Sequence, residues 1–164
     1  MDFRRQVNRA LDEEHRATLE LLGHVEKEFG RASPSGAASD PSLARLAASL
    51  ASHIERDIPR HFEFEERELF PRLEAAGEGD IVGLLMEEHV AIREVTAELL
   101  PLARAAAGGT LEQSGWEALK RGALEMAERL TSHIHKETNA LLPMLDDALD
   151  EDTDRELAFG YATA

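Results

Sequence analysis

The sequence has no cysteine. That single absence excludes disulfides, thiol nucleophiles, thiolate-held zinc and iron–sulfur clusters. Any bound metal must therefore rest on histidine and carboxylate. Positive charge is scarce as well: 18 Lys and Arg face 33 Asp and Glu, a formal charge of −15. Such a surface repels phosphate backbones and anionic lipid, so neither nucleic acid nor a membrane is an expected partner. Long apolar runs are missing: no stretch suffices to span a bilayer, and the opening Met-Asp-Phe-Arg-Arg leads into no signal-peptide core. The expected location is cytoplasmic. No segment shows the alternating pattern of a strand.

What remains is helix. The 164 residues suit one domain with one sizeable core. Leu11, His15, Thr18, Leu22, Val25 and Phe29 recur at steps of four and three, the buried stripe of a helix over about 5–30. A Ser/Gly/Ala-rich breaker occupies 31–39. Asp40 then Pro41 predicts a capped helix start, and the stripe runs on from Leu43 through Ile58, His61, Glu65, Leu69 and Leu73. Pro59 should kink this helix or remove one hydrogen bond. Gly77-Glu78-Gly79 ends it, and Asp80 is the expected cap of a third helix carrying Ile81, Leu85, His89, Ile92, Thr96 and Leu99. Gly108-Gly109 breaks that helix, and Thr110 with Gln113 matches a capping box for a fourth, with Trp116, Met126, His133, Glu137, Leu141 and Met144 on its stripe. These elements predict an all-α, up-down-up-down four-helix bundle over residues 1–148, followed by a tail over 149–164.

Six polar residues occupy core positions: His15, His61, Glu65, His89, His133 and Glu137. Two buried carboxylates and four imidazoles in one core need compensation, and no Lys or Arg lies on these stripes. A metal supplies the missing charge. Counting about 1.5 Å per residue from the expected helix ends places all six at one depth.

The chain also repeats itself. Glu13-Glu14-His15 returns as Glu87-Glu88-His89, and His61-x3-Glu65-x3-Leu69-x-Pro71-x-Leu73 returns as His133-x3-Glu137-x3-Leu141-x-Pro143-x-Leu145. Each half supplies one lone His and one His-x3-Glu pair. Residues four apart share a helix face, so each pair can grip one centre, and the two Glu are placed to bridge two metal positions. Mixed imidazole and carboxylate donors suit iron, manganese or zinc. Di-iron bundles of the ferritin type instead use Glu three residues before His, and no His here has one. A single core His is usually just a hydrogen-bonded packing residue; four matched ones with two Glu reverse that weighting. His24, His53 and His135 belong to surface or supporting positions. Glu14 and Glu88, each preceding a lone His, read as solvated faces or as support for the ligand rings; the acidic run Glu63–Glu68, Glu65 aside, reads as a solvated face. Arg93 reads as a surface ion pair and Met86, Met126 and Met144 as packing.

The doubled His…His-x3-Glu pattern resembles the hemerythrin-like (HHE cation-binding) domain, and most of all its branch with four His and two Glu. The resemblance spans about residues 10–148. It implies two iron ions, oxo- or hydroxo-bridged, with Glu65 and Glu137 bridging and His15, His61, His89 and His133 as terminal ligands. It implies a small-molecule ligand: dioxygen, nitric oxide or hydrogen peroxide, with catalase- or peroxidase-like turnover if both irons cycle. An iron-sensing, iron-donating or stress-response role without turnover is the alternative. Oxygen-carrying members have a further His four residues after the third-helix His, where this sequence has Arg93, and their fourth-helix bridging carboxylate is an Asp at a different offset from its His, where this sequence has Glu137. Iron-centre repair members carry a Cys-bearing N-terminal segment, and no Cys is present here.

Overall fold

A computed structural model describes residues 3–163. They form six helices and, among the described residues, no strand. Helix α1 is Gln6–Arg31, α2 is the single turn Pro34–Ala37, and α3 runs continuously over residues 41–75. Helix α4 is Gly79–Ala107, α5 covers residues 113–148, and α6 is Glu151–Thr163. The four long helices α1, α3, α4 and α5 make the bundle. No helix among the described residues is long and apolar enough to cross a membrane.

Three π-turns interrupt the long helices: His53–Asp57 and Glu65–Leu69 in α3, and Glu137–Leu141 in α5. Each ends one residue before an X-Pro step, at Pro59, Pro71 and Pro143. Proline has no N–H and crowds the carbonyl four residues back; the wider turn relieves that clash without breaking the helix. The kink expected at Pro59 is thus absorbed as a π-turn. The π-turns also explain the row of fours in the sequence. His61, Glu65, Leu69 and Leu73 would drift around a regular α-helix by roughly 40° per step, yet all four are buried, as are His133, Glu137, Leu141 and Leu145. The wider turn keeps each row on one face.

The apolar core divides into two clusters. One gathers Leu22, Val25, Phe29, Leu50, Phe62, Ile92, Leu99, Leu119 and Ile134. The other gathers Val7, Leu11, Leu69, Leu73, Leu85, Leu141, Leu145, Leu157 and Tyr161. Along α1 the chain passes from the second cluster to the first, along α3 back, along α4 forward and along α5 back again. Every crossing carries a polar residue: His15, Glu65, His89 and Glu137 lie between the clusters on their four helices.

Helix ends depart from local expectation. Asp40 caps α3 as expected, accepting from the Ser42 N–H at 2.9 Å. Asp80 does not cap α4; it sits inside the first turn, which begins at Gly79. Gly77 at φ +96° closes α3, with the Glu78 N–H bonded to the Leu73 carbonyl and the Gly77 N–H to that of Glu74. The same closure at Gly109, φ +71°, turns Thr110 back onto α4: its N–H and hydroxyl both donate to the Ala105 carbonyl, at 2.9 and 3.3 Å. The capping box expected of Thr110 and Gln113 is therefore absent, because Thr110 is spent on the preceding helix. The start of α1 is capped from afar. Asp154 of α6, 4% exposed, accepts from the Gln6 and Val7 N–H groups at 2.9 and 3.0 Å. Asp146 of α5 accepts from the Arg5 N–H at 2.9 Å. The tail after Leu149 is thus a helix seated on α1, with Leu157 and Tyr161 in the second cluster.

Removing this remote cap should weaken the whole bundle. Asp154→Ala should cost about 1–2 kcal/mol and lower the melting temperature by roughly 3–8 °C, measured by circular dichroism. An unchanged melt would mean that α6 contributes nothing to α1.

Candidate metal centre

The layer between the two apolar clusters holds His15, His61, Glu65, His89, His133 and Glu137, all buried and both carboxylates at 0% exposure. The π-turns begin at Glu65 and Glu137, so the backbone is widened where each carboxylate enters the layer. On one side, His15 Nε2 lies 3.2 Å from His61 Nε2 and 3.1 Å from Glu137 Oε2, while His61 Nε2 lies 3.2 Å from Glu65 Oε1. On the other, His89 Nε2 lies 3.0 Å from His133 Nε2 and 3.4 Å from Glu65 Oε2, while His133 Nε2 lies 2.9 Å from Glu137 Oε1. Each carboxylate turns one oxygen to each histidine pair. The result is two groups sharing both Glu, His15–His61–Glu65–Glu137 and Glu65–His89–His133–Glu137, with donor atoms within 4.8 Å of one another in each.

None of the four carboxylate oxygens accepts a hydrogen bond, although imidazole nitrogens stand close by. The outer nitrogen of every ring explains this. His15 Nδ1 is 3.0 Å from Thr138 Oγ1, and His61 Nδ1 is 3.1 Å from both Glu14 Oε2 and the Tyr161 hydroxyl. His89 Nδ1 is 2.7 Å from Glu66 Oε1, and His133 Nδ1 is 2.9 Å from Glu88 Oε2. These acceptors hold the ring proton on Nδ1 and leave Nε2 as a lone pair aimed inward. Nitrogen and oxygen lone pairs then converge with nothing between them, which is costly in a dry core and fits a pair of cations.

Without metal, protons take that role. Burial opposes the His61 imidazolium, but the Glu65 carboxylate and contacts with Glu137 and Glu14 outweigh it and raise its pKa well above the usual value. His89, also opposed by burial, is pushed up to about 9 by Glu137, Glu65 and Glu66. His133 is raised by Glu137 against burial. Burial pushes Glu137 upward, but His133, His15 and His61 hold its carboxyl well below the ordinary range.

The outer partners repeat with the sequence. Glu14 and Glu88 precede the lone histidines and reach across to His61 and His133; Glu66 and Thr138 follow the two buried Glu and reach His89 and His15. Glu66 is therefore not part of a solvated face, as its acidic neighbours suggest. Arg93 pairs with Glu66 at 2.8 Å and lies over the Phe62 ring, which stacks on His89 with centroids 3.6 Å apart. Tyr161 is 3% exposed, and its hydroxyl donates to Glu14. The 72- and 74-residue offsets of the repeat could have revealed the Glu14/Glu88 and Glu66/Thr138 correspondences; nothing in the tail marked Tyr161. His24 and His135 are exposed, and His53 is buried outside the two groups. Met126 is buried, Met144 half-buried and Met86 exposed.

The raised imidazole pKa values set a pH dependence for the metal-free protein. A raised folded-state pKa gives stability that is complete below the ordinary histidine value of 6.5 and lost as pH rises through about 9. The melting temperature in the presence of a chelator should therefore fall between pH 6.5 and 9. Metal-loaded protein, in which cations replace those protons, should show no such fall. A flat profile without metal would contradict the coupling of these rings to Glu65 and Glu137.

A comparison with curated proteins finds no match. The family profile described as the hemerythrin HHE cation-binding domain matches residues 6–145, which takes in the four bundle helices and all six residues of the layer. This chain belongs to the hemerythrin HHE cation-binding family, and it is a metal-binding helical bundle.

Proposed function

We propose that the protein is a non-haem di-iron protein that binds or reacts with a small oxidant: dioxygen, nitric oxide or hydrogen peroxide. One observation carries this reading. Glu65 and Glu137 each divide their oxygens between two histidine pairs, and those oxygens have no other partner. His15 and His61 would hold one ion, His89 and His133 the other, with both Glu shared. When bound, two irons would supply a redox pair and Lewis-acid positions open to an exogenous ligand, since four protein donor atoms per ion do not saturate either. The chain's own residues hold the donor rings in one tautomer through Glu14, Glu66, Glu88 and Thr138. The apolar clusters above and below close the layer along the length of the bundle. Manganese or zinc would satisfy the same donors with less scope for redox chemistry.

Metal analysis of protein purified without added metal, together with its visible spectrum, tests this. Close to two irons per chain is expected, with ferric bands that shift on adding azide or peroxide. Oxygen evolution from peroxide would mark catalase-like turnover. Iron-loaded protein whose spectrum ignores dioxygen, nitric oxide and peroxide alike would refute the oxidant reading.

The orphaned carboxylates also favour a second reading, in which iron occupancy controls the fold and the protein senses or donates iron. Iron should then stabilise the fold by RT ln(1 + [L]/Kd), about 2.7 kcal/mol at a hundredfold excess over Kd, and raise the melting temperature accordingly. A melt indifferent to iron would remove this reading.

A further inference from the structure

A cavity of about 380 Å³ opens between α1, α3 and α5. By volume it could hold roughly a dozen waters. His15, His61, His133 and Glu137 form part of its lining, whereas Glu65 and His89 do not, so both rings of the His15–His61 pair reach it against one of the other pair. It therefore approaches the centre from the side of the His15–His61 pair.

Three other lining residues connect to one another. His53 is buried; its Nδ1 lies 2.8 Å from Asp57 Oδ2 and its Nε2 lies 3.4 Å from Thr18 Oγ1. The Asp57 side chain is 60% exposed, so it meets solvent. Thr18 is half-buried and stands three residues from His15, one turn along the same face of α1. Asp57, His53 and Thr18 thus run from bulk water into the cavity that the metal-facing rings line. None of the three belongs to the two donor groups.

This is where the internal repeat fails. At the offsets that relate the halves, His53 and Asp57 correspond to Glu125 and Arg129, and Thr18 to Ile92. Glu125 and Arg129 form an exposed ion pair, and Ile92 is an apolar core residue. The backbone breaks symmetry at the same place. The π-turns at Glu65 and Glu137 correspond, but His53–Asp57 is a third, matched in the other half by regular helix within Gln113–Lys136. Two halves that agree in their donors differ in a protonatable chain, and it stands on the side that has the cavity.

We propose that Asp57, His53 and Thr18 carry protons between solvent and the His15–His61 side of the centre, and that the ligand served there is a hydroperoxide. The proposal rests on the oxidant reading and narrows it. Dioxygen and nitric oxide have no proton to give, whereas hydrogen peroxide must lose one to act as an anionic ligand. The transfer is a proton relay without redox change. The peroxide O–H bond breaks and its proton passes to the Thr18 hydroxyl oxygen. The Thr18 hydroxyl proton passes to His53 Nε2. The products are hydroperoxide anion and a His53 imidazolium, whose charge is offset by the Asp57 carboxylate. The Nδ1 proton of that imidazolium then leaves to water through Asp57, and a flip of the His53 ring, which exchanges its two nitrogens, resets the chain.

The test uses iron-loaded full-length protein and the variants His53→Ala and Thr18→Val. Iron content and nitric oxide binding to the ferrous protein, which involves no proton, should match wild type. The stopped-flow reaction with hydrogen peroxide should slow by about 10- to 100-fold in either variant. Added imidazole should restore much of the rate in His53→Ala but not in Thr18→Val. Peroxide rates equal to wild type in both variants would overturn the relay while leaving the centre intact. Parallel loss of iron, nitric oxide binding and peroxide reaction in both would make the trio structural, which also overturns it. A wild-type protein that answers nitric oxide or dioxygen but not peroxide would overturn the hydroperoxide assignment alone. Silence toward all three would instead refute the oxidant reading beneath it.

Discussion

Glu65 and Glu137 lie in a dry layer with four imidazole lone pairs turned toward them, and this charge imbalance organises the rest of the molecule. A carboxylate stripped of water and left without a donor is among the most expensive groups a core can contain. The fold places two in the same plane. Everything around them limits that cost or exploits it. Outer acceptors fix each ring's proton away from the layer, widened helical turns aim the carboxylates inward, and apolar clusters close both faces along the bundle. In the absence of metal, raised imidazole pKa values answer the same imbalance with protons.

The six central residues were legible in the sequence because their signal is doubly periodic, once along each helix and again between the halves. A carboxylate on a stripe of Leu and Ile has few innocent explanations, and the repeat multiplies the improbability. The π-turns were not legible, although their trace was present: His61, Glu65, Leu69 and Leu73 step by four without the drift a regular helix imposes. The ring-orienting shell was largely hidden. Which acidic residue reaches which ring depends on how neighbouring helices are rotated, and a single-helix pattern does not encode that. Glu66 looks like any exposed glutamate until His89 is placed opposite it. Helix ends were hidden for a related reason. Thr110 and Asp80 have the right chemistry for caps, but the Gly77 and Gly109 closures claim the neighbouring backbone first. Asp154 caps a helix that begins nearly 150 residues earlier, beyond any local rule.

Pseudo-symmetry in the chain makes its exceptions informative. The two histidine pairs share their carboxylates evenly, yet their surroundings differ. His89 leans on a glutamate, while His15 leans on a threonine hydroxyl. A carboxylate partner makes an imidazole a stronger electron donor than a hydroxyl does. Two like ions placed here would therefore differ in electronic character, with the less electron-rich position on the side where the cavity opens.

Tyr161 extends the layer's influence outward. Its phenol is bonded to Glu14 and approaches His61, while the helix that carries it also presents Phe159 to solvent at 73% exposure. Binding equilibria linked through a shared residue are reciprocal: whatever free energy α6 lends to filling the layer, a filled layer returns to the docking of α6. Were ions to fill the layer, their loading would be carried to the exterior through Tyr161, and α6 would be an outward gauge of it.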